Sequence, residues 1–268
     1  MNYKMIVSDL DDTLLREDLT ISEATKNILI QAQQKGIKVV LASGRPTVAM
    51  ERYAKELQLK EYGGYMISYN GAVITDCTHD KITFEQNLQK STVHELYHFS
   101  KEENVFIHTY KDGNIITPQT NKYTTIESDL TGMPIKQTED FIREIDKDVI
   151  KVILLEDPEY LKTVEKNLKE KFEHKMSITI SKPFFLECMD KGVDKGDTLK
   201  FLSEQLGIKS EEILALGDSY NDVKMLKFAG LGVAMKNAPQ DIKELVDYVT
   251  ESNMNDGIVE AMKKFVFN

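Results

Sequence analysis

Short unbroken apolar runs alternate with amphipathic stretches along the first third of the chain. "YKMIVSD" (residues 3–9), "IKVVLAS" (37–43) and "GYMISYNGA" (64–72) read as strands. Between them, "SEATKNILIQAQQK" and "TVAMERYAKEL" carry their apolar residues at helical spacing. Thr20 followed by Glu23 predicts a capping box at the start of the first helix, and Gly36 predicts its end. Pro46, just past the second strand, suits the first position of the second helix. Strands that are apolar on both faces and separated by helices imply a parallel sheet covered on both sides.

The last third resumes this rhythm with helix "DKGDTLKFLSEQLG", strand "EEILALGD", helix "YNDVKMLKFAG", strand "LGVAM" and helices after Ala238 and Asp256. From about Thr83 to about Asp190 the texture differs. "VFIHTYKDGNIITP" has a hairpin turn at "DGN", and "DVIKVILLEDPEYLKTVEKNLKEKF" is a strand followed by a helix that opens at Asp157 and Pro158. "SITISKPFFLECMD" reads as a second antiparallel pair. The fold class that follows is α/β: a doubly wound, parallel-sheet core of residues 1–83 and 191–268, interrupted by an inserted α+β domain of residues 84–190.

Composition narrows the function classes. At 268 residues and 41% hydrophobic content the chain can bury a large core without staples. Its two cysteines, Cys77 and Cys188, form neither a CxxC pair nor a zinc spacing, and read as reduced thiols. The first residues, "MNYKMIVSDL", lack a leader's cleavage site, and no stretch is apolar enough to span a bilayer, so the expectation is a cytoplasmic protein with no membrane partner. The formal charge of -10 argues against a nucleic-acid partner. An anionic ligand must therefore be captured by a local concentration of positive charge.

In open parallel sheets ligands bind beyond the carboxyl ends of the strands. After the first strand stand Asp9, Asp11 and Asp12; after the second, Ser43, Gly44 and Arg45; after the third, Asn70 and Gly71. Asp218, Asn221 and Asp222 follow the later strand, and Lys195 opens the helix before it. Taken singly each has an ordinary explanation: an acidic cap, a turn, a surface lysine. Two carboxylates about 4 Å apart repel by about 4 kcal/mol at an effective dielectric near 20, so the crowding after the first strand needs a cation, solvent or an exposed turn. Convergence of two acidic clusters, a hydroxyl and a lysine on one sheet edge is harder to explain as capping. "GLGVAM" places Met235 where a third glycine of a dinucleotide fingerprint would stand, and no GxxxxGK[ST] loop occurs.

"DLDDTL", Ser43 in "ASGR", Lys195 in "DKG" and "GDSYND" match, in order, the four motifs of the haloacid dehalogenase superfamily. The long insertion, with "YNGA", "FLEC" and "NDGI", resembles its Cof-type, class IIB branch. The resemblance spans essentially the whole chain, and Asp12 stands where glycine is frequent in the family. It implies a Rossmann-like core with an α/β cap and a Mg²⁺-dependent phosphatase acting on small phosphomonoesters: sugar phosphates, nucleotides, flavin mononucleotide or pyridoxal phosphate. Asp9 would be the nucleophile, forming an aspartyl-phosphate, and Asp11 the acid and base. Asp9, Asp218 and the backbone carbonyl of Asp11 would ligate Mg²⁺, with Asp222 supporting them. Ser43, Gly44, Lys195 and Asn221 would hold the phosphate, and Arg45, Asn70 and Gly71 could touch substrate. His108, Tyr110, Tyr123 and Lys182 are polar residues of the inserted domain, where leaving-group selectivity would lie. No oligomeric state is implied. A phosphomutase or phosphotransferase shares the motifs, and a phospho-aspartate signalling module uses similar residues in about half the length.

Overall fold

The structure is a computed structural model and describes residues 3–267. It divides into two compact units, Met1–Phe84 with Asp194–Asn268, and Glu85–Val193.

The first unit begins with β1 (Met5–Asp9), α1 (Glu23–Gln34), β2 (Lys38–Ala42), α2 (Thr47–Glu56), α3 (Leu59–Tyr62), β3 (Tyr65–Ser68), β4 (Val73–Asp76) and β5 (Lys81–Glu85). The second holds α4 (Lys90–Glu102), β6 (Phe106–Lys111), β7 (Asn114–Thr117), α5 (Lys122–Thr131), β8 (Ile135–Gln137), α6 (Phe141–Glu144), β9 (Lys151–Leu155), α7 (Pro158–Phe172), β10 (Met176–Lys182) and β11 (Phe185–Asp190). The chain then completes the first unit with α8 (Lys195–Gln205), β12 (Ile213–Gly217), α9 (Val223–Phe228), β13 (Leu231–Ala234), α10 (Gln240–Lys243), β14 (Tyr248–Val249) and α11 (Gly257–Phe265).

The sheet of the first unit runs in the order β14-β13-β12-β1-β2-β3-β4-β5. Its pairs from β14 to β3 are parallel, so the carboxyl ends of six strands share one edge. Alternation along those strands divides the core between two faces. Ile6, Val39, Leu41, Leu214 and Leu216 pack on one side, and Met5, Val7, Val40, Ala42, Ile213 and Ala215 on the other.

Two expectations are corrected. The sheet is not parallel throughout, because β4 returns antiparallel to β3 after the tight turn at Tyr69–Gly71, too short for a crossover. The cap of α1 is Ser22 rather than Thr20: the Ser22 hydroxyl accepts the Thr25 amide at 3.1 Å, whereas Thr20 bonds the Asp18 carboxylate at 2.6 Å.

The second unit is a six-stranded sheet ordered β10-β11-β9-β6-β7-β8, antiparallel except for β7 with β8. The "DGN" turn joins β6 to β7, with Asp112 and Gly113 at φ of 50° and 74°, as a tight hairpin requires. Ile107, Val152, Leu154 and Leu186 meet Leu96 and Phe99 of α4 and Leu161, Val164 and Leu168 of α7 in one apolar core. Asp157 caps α7 and Pro158 opens it, as expected. Both cysteines are free, and burial raises each thiol, Cys77 to about 12. Among the described residues no helix is long and apolar enough to cross a membrane.

Ser22→Ala should lower the free energy of unfolding by about 1–2 kcal/mol, whereas Thr20→Ala should change it by less than about 0.5 kcal/mol. Urea denaturation of the two variants checks this; the reverse order would return the cap to Thr20.

Candidate active site

At the end of β1 the chain turns from Asp9 into a wide helical turn, Leu10–Leu14, closed by the Leu15 amide on the Leu10 carbonyl at 2.8 Å. The parallel pairing of β1 with β12 brings Asp218, which follows β12, beside this turn. One carboxylate oxygen from each of Asp9, Asp218 and Asp222 lies within 4.8 Å of the others.

Lys195, at the first turn of α8, enters this cluster. Its ammonium donates to Asp9 Oδ1 at 2.5 Å and to Asp222 Oδ1 at 2.7 Å, and its side chain is wholly buried. Asp222 Oδ2 accepts the backbone amides of Asp218 and Ser219, which fixes the loop after β12. Thr13 donates to Asp218 Oδ1 at 2.6 Å. Thr13 lies within the "DLDDT" run, but its part in the site was not read from sequence; the available signal was a hydroxyl four residues beyond Asp9.

Three carboxylates against one ammonium leave two uncompensated negative charges. Such a site binds protons tightly. Burial raises the Asp9 carboxyl well above the ordinary range, with Asp222 and Asp218 adding to the effect against the pull of Lys195. Burial likewise pushes Asp218 up to about 7; the Thr13 bond opposes this, and Asp222 and Asp12 reinforce it. Burial works against the charge of Lys195, but Asp222 and Asp9 outweigh it and raise its pKa.

A divalent cation matches that deficit in charge and in donor type, since hard carboxylate oxygens suit Mg²⁺. The residues present fit such an ion: Asp9 and Asp218 as carboxylate donors, with Asp222 holding the loop.

The remaining residues named from sequence gather around this edge in part. Asp11 is half exposed and pairs with Arg45, whose Nε and Nη2 donate to its two oxygens at 2.9 and 2.6 Å. Ser43 is buried at the end of β2; its hydroxyl accepts the Arg45 amide and its carbonyl accepts the Asn70 amide. Gly44 lies close against the Asn70 side chain, and Asn221 donates to Asn70 Oδ1 at 2.9 Å. Gly71 has a φ of +110°, and a Cβ there would stand 2.5 Å from the Asp194 carbonyl. Only glycine lets this turn approach the start of the helix that carries Lys195.

The four polar residues named in the second unit lie on or beside its sheet. Tyr110 donates to Glu127 at 2.5 Å, Tyr123 stacks on Phe184, and Lys182 is exposed at the end of β10. His108 is fully buried with both ring nitrogens unpartnered among the described residues. Burial, with Lys151 nearby, depresses its pKa to about 3, so it is a neutral imidazole.

Comparison with known proteins agrees with this geometry. The sequence model of the haloacid dehalogenase-like hydrolases matches residues 6–262. The provisionally named phosphatase YxeH of Bacillus subtilis is 33% identical over 268 residues, covering 98% of each chain. A solved haloacid dehalogenase-like hydrolase from Bacteroides thetaiotaomicron is 39% identical, with a TM-score of 0.93 over 98% of this chain and 99% of that one. The subclass IIB sugar phosphatase BT4131 is 29% identical, with a TM-score of 0.82 over 98% of both chains. The family match and these likenesses run along nearly the whole length, and the protein belongs to the haloacid dehalogenase-like hydrolases.

Proposed function

We propose that the protein is a Mg²⁺-dependent phosphatase that hydrolyses small phosphomonoesters through an aspartyl-phosphate on Asp9. The observation that carries this reading is the meeting of the Asp9, Asp218 and Asp222 carboxylates with the buried Lys195 ammonium at one sheet edge. Bound there, Mg²⁺ supplies charge that lets an anionic nucleophile approach an anionic phosphoryl group.

Each residue has a part in this reading. Lys195 holds the Asp9 carboxylate through Oδ1, which leaves Oδ2 as the attacking atom. In the first displacement an Asp9 oxygen bonds to phosphorus, the bond to the leaving oxygen breaks, and Asp11 gives that oxygen its proton. In the second, water attacks the phosphorus, Asp11 takes the water proton back, and phosphate leaves with the Asp9 carboxylate restored. Arg45 grips both oxygens of the ionised Asp11 carboxylate, so Asp11 must leave this pair to carry the proton in either displacement. Ser43, Gly44 and Asn221 line the phosphate position together with Lys195, and Arg45, Asn70 and Gly71 support its rim. Asp11 also offers its backbone carbonyl to Mg²⁺. The second unit acts as the cap domain and carries leaving-group selectivity. Because a structural relative is named as a sugar phosphatase, sugar phosphates are the first substrates to try.

Three outcomes follow. Phosphate release from a panel of sugar phosphates, nucleoside monophosphates, flavin mononucleotide and pyridoxal phosphate should require Mg²⁺, stop with EDTA, and fall to background in Asp9→Asn. No release from any ester, or full activity in the variant, would overturn the assignment. Mg²⁺ at about 100 times its Kd should add about 2.7 kcal/mol to the stability of the wild type. In thermal melts that gain should vanish in Asp218→Ala, and an equal gain there would exclude Asp218 as a ligand. Lys195→Met should cost about 3–5 kcal/mol in Mg²⁺-free urea denaturation, because it leaves buried carboxylates without their cation. A loss below about 1 kcal/mol would show that Lys195 does not hold them.

A further inference from the structure

The turn that carries Asp9 and Asp11 is not held by its own backbone alone. Asp12 sits at φ 59°, in the left-handed region, and the chain leaves the turn at Leu15. The carbonyls at these two points accept side-chain amides from far along the sequence. Asn237 Nδ2 donates to the Asp12 carbonyl at 2.8 Å across 225 residues, and Asn253 Nδ2 donates to the Leu15 carbonyl at 2.8 Å across 238. The two asparagines are themselves joined, since Asn237 Oδ1 accepts the Asn253 backbone amide at 3.2 Å. The result is one continuous chain of hydrogen bonds from Asp12 through Asn237 and Asn253 to Leu15. A third tie lies alongside it: Asp256 accepts the Ser22 hydroxyl at 2.5 Å and stands 3.5 Å from Arg16.

Topology explains why these residues are available. Asn237 follows β13 and Asn253 follows β14, so both stand beyond the carboxyl ends of parallel strands, on the edge from which the Asp9 turn emerges. Asn253 is almost fully buried, and Asn237 is exposed apart from its two bonds. A buried primary amide is well suited to this task, because it gives a carbonyl a donor without adding charge to a crowded acidic site.

We propose that Asn237 and Asn253 are positioning residues that clamp the turn from Asp9 to Leu15. The clamp fixes the direction of the Asp11 carbonyl and carboxylate, and of the Thr13 hydroxyl that holds Asp218. The consequence for catalysis rests on the roles given above to Asp9 and Asp11; the clamp itself does not.

The test uses Asn253→Leu and Asn237→Leu, which keep side-chain size and remove the donor without adding charge, together with Met254→Ala as an exposed neighbour outside the clamp. All are studied at a temperature where circular dichroism shows them folded. Hydrogen exchange should rise in the segment Leu10–Leu15 in each clamp variant and stay as in the wild type elsewhere in the core. Phosphatase kcat should fall about 10- to 100-fold, with KM changed by less than about threefold, as is usual when a supporting hydrogen bond is lost. The double variant should fall no further than the worse single one, because both act in one chain of bonds. Mg²⁺-dependent binding of beryllofluoride, an inert stand-in for the aspartyl-phosphate, should weaken by the same factor as kcat. Met254→Ala should match the wild type in every measurement. Unchanged exchange in Leu10–Leu15, additive losses in the double variant, or an equal effect of Met254→Ala would overturn the clamp. Raised exchange in a protein whose wild type releases no phosphate would uphold the clamp and remove the phosphatase reading instead.

Discussion

One buried ammonium holds this site together. Lys195 lies between Asp9 and Asp222 with no exposed surface, and it is the counter-charge that makes two of the three converging carboxylates tolerable inside the protein. A buried ion pair gains little net stability, because removing charges from water costs nearly as much as their attraction returns. Its effect is on arrangement. With Lys195 bound to one oxygen of each carboxylate, Asp9 and Asp222 cannot rotate freely, and the other Asp222 oxygen is left to accept the amides that set Asp218. Burial, reinforced by the neighbouring carboxylates of Asp222 and Asp12, pushes the Asp218 carboxyl up to about 7.

The sheet makes this concentration of charge possible. Six parallel-paired strands present their carboxyl ends on one edge, and the apolar residues on both faces fix each strand's register. Residues distant in sequence therefore arrive within hydrogen-bond distance without any one loop having to be long. The same edge carries the asparagines after β13 and β14, so the geometry that gathers the charged groups also supplies neutral amides to brace them.

The second unit uses its two faces differently. One face is an apolar core against α4 and α7. The other buries polar groups: Lys151 with Glu187 at 2.9 Å, Tyr110 with Glu127, and His108 between the rings of Tyr110 and Phe185. Strand alternation produces this division, since Val152 and Lys151, or Leu186 and Glu187, are successive residues that point to opposite faces.

Much of this was legible in the chain itself. Unbroken apolar runs announced the buried strands, the "DGN" hairpin and the Asp157-Pro158 helix start appeared where turn and cap chemistry placed them, and the residues after each strand announced the charged edge. These features are local, governed by the side-chain period and by backbone preferences at single positions. What required the tertiary structure depended on contacts across more than a hundred residues or on competition between near-equal local choices. Ser22 rather than Thr20 is the cap because the helix starts at Glu23, which leaves Thr20 two residues too early to reach its first amides, bonded instead to Asp18. The return of β4 antiparallel to β3 was set by a tight turn that reads the same as a loop. Asn237 and Asn253 look like ordinary turn residues until the fold brings each to a carbonyl more than two hundred residues away. The sequence alone determined which charged and polar groups the sheet edge holds, because residue identity and strand position are local. Which atoms face one another was decided only by packing, because a hydrogen bond depends on distances that the order of residues does not specify.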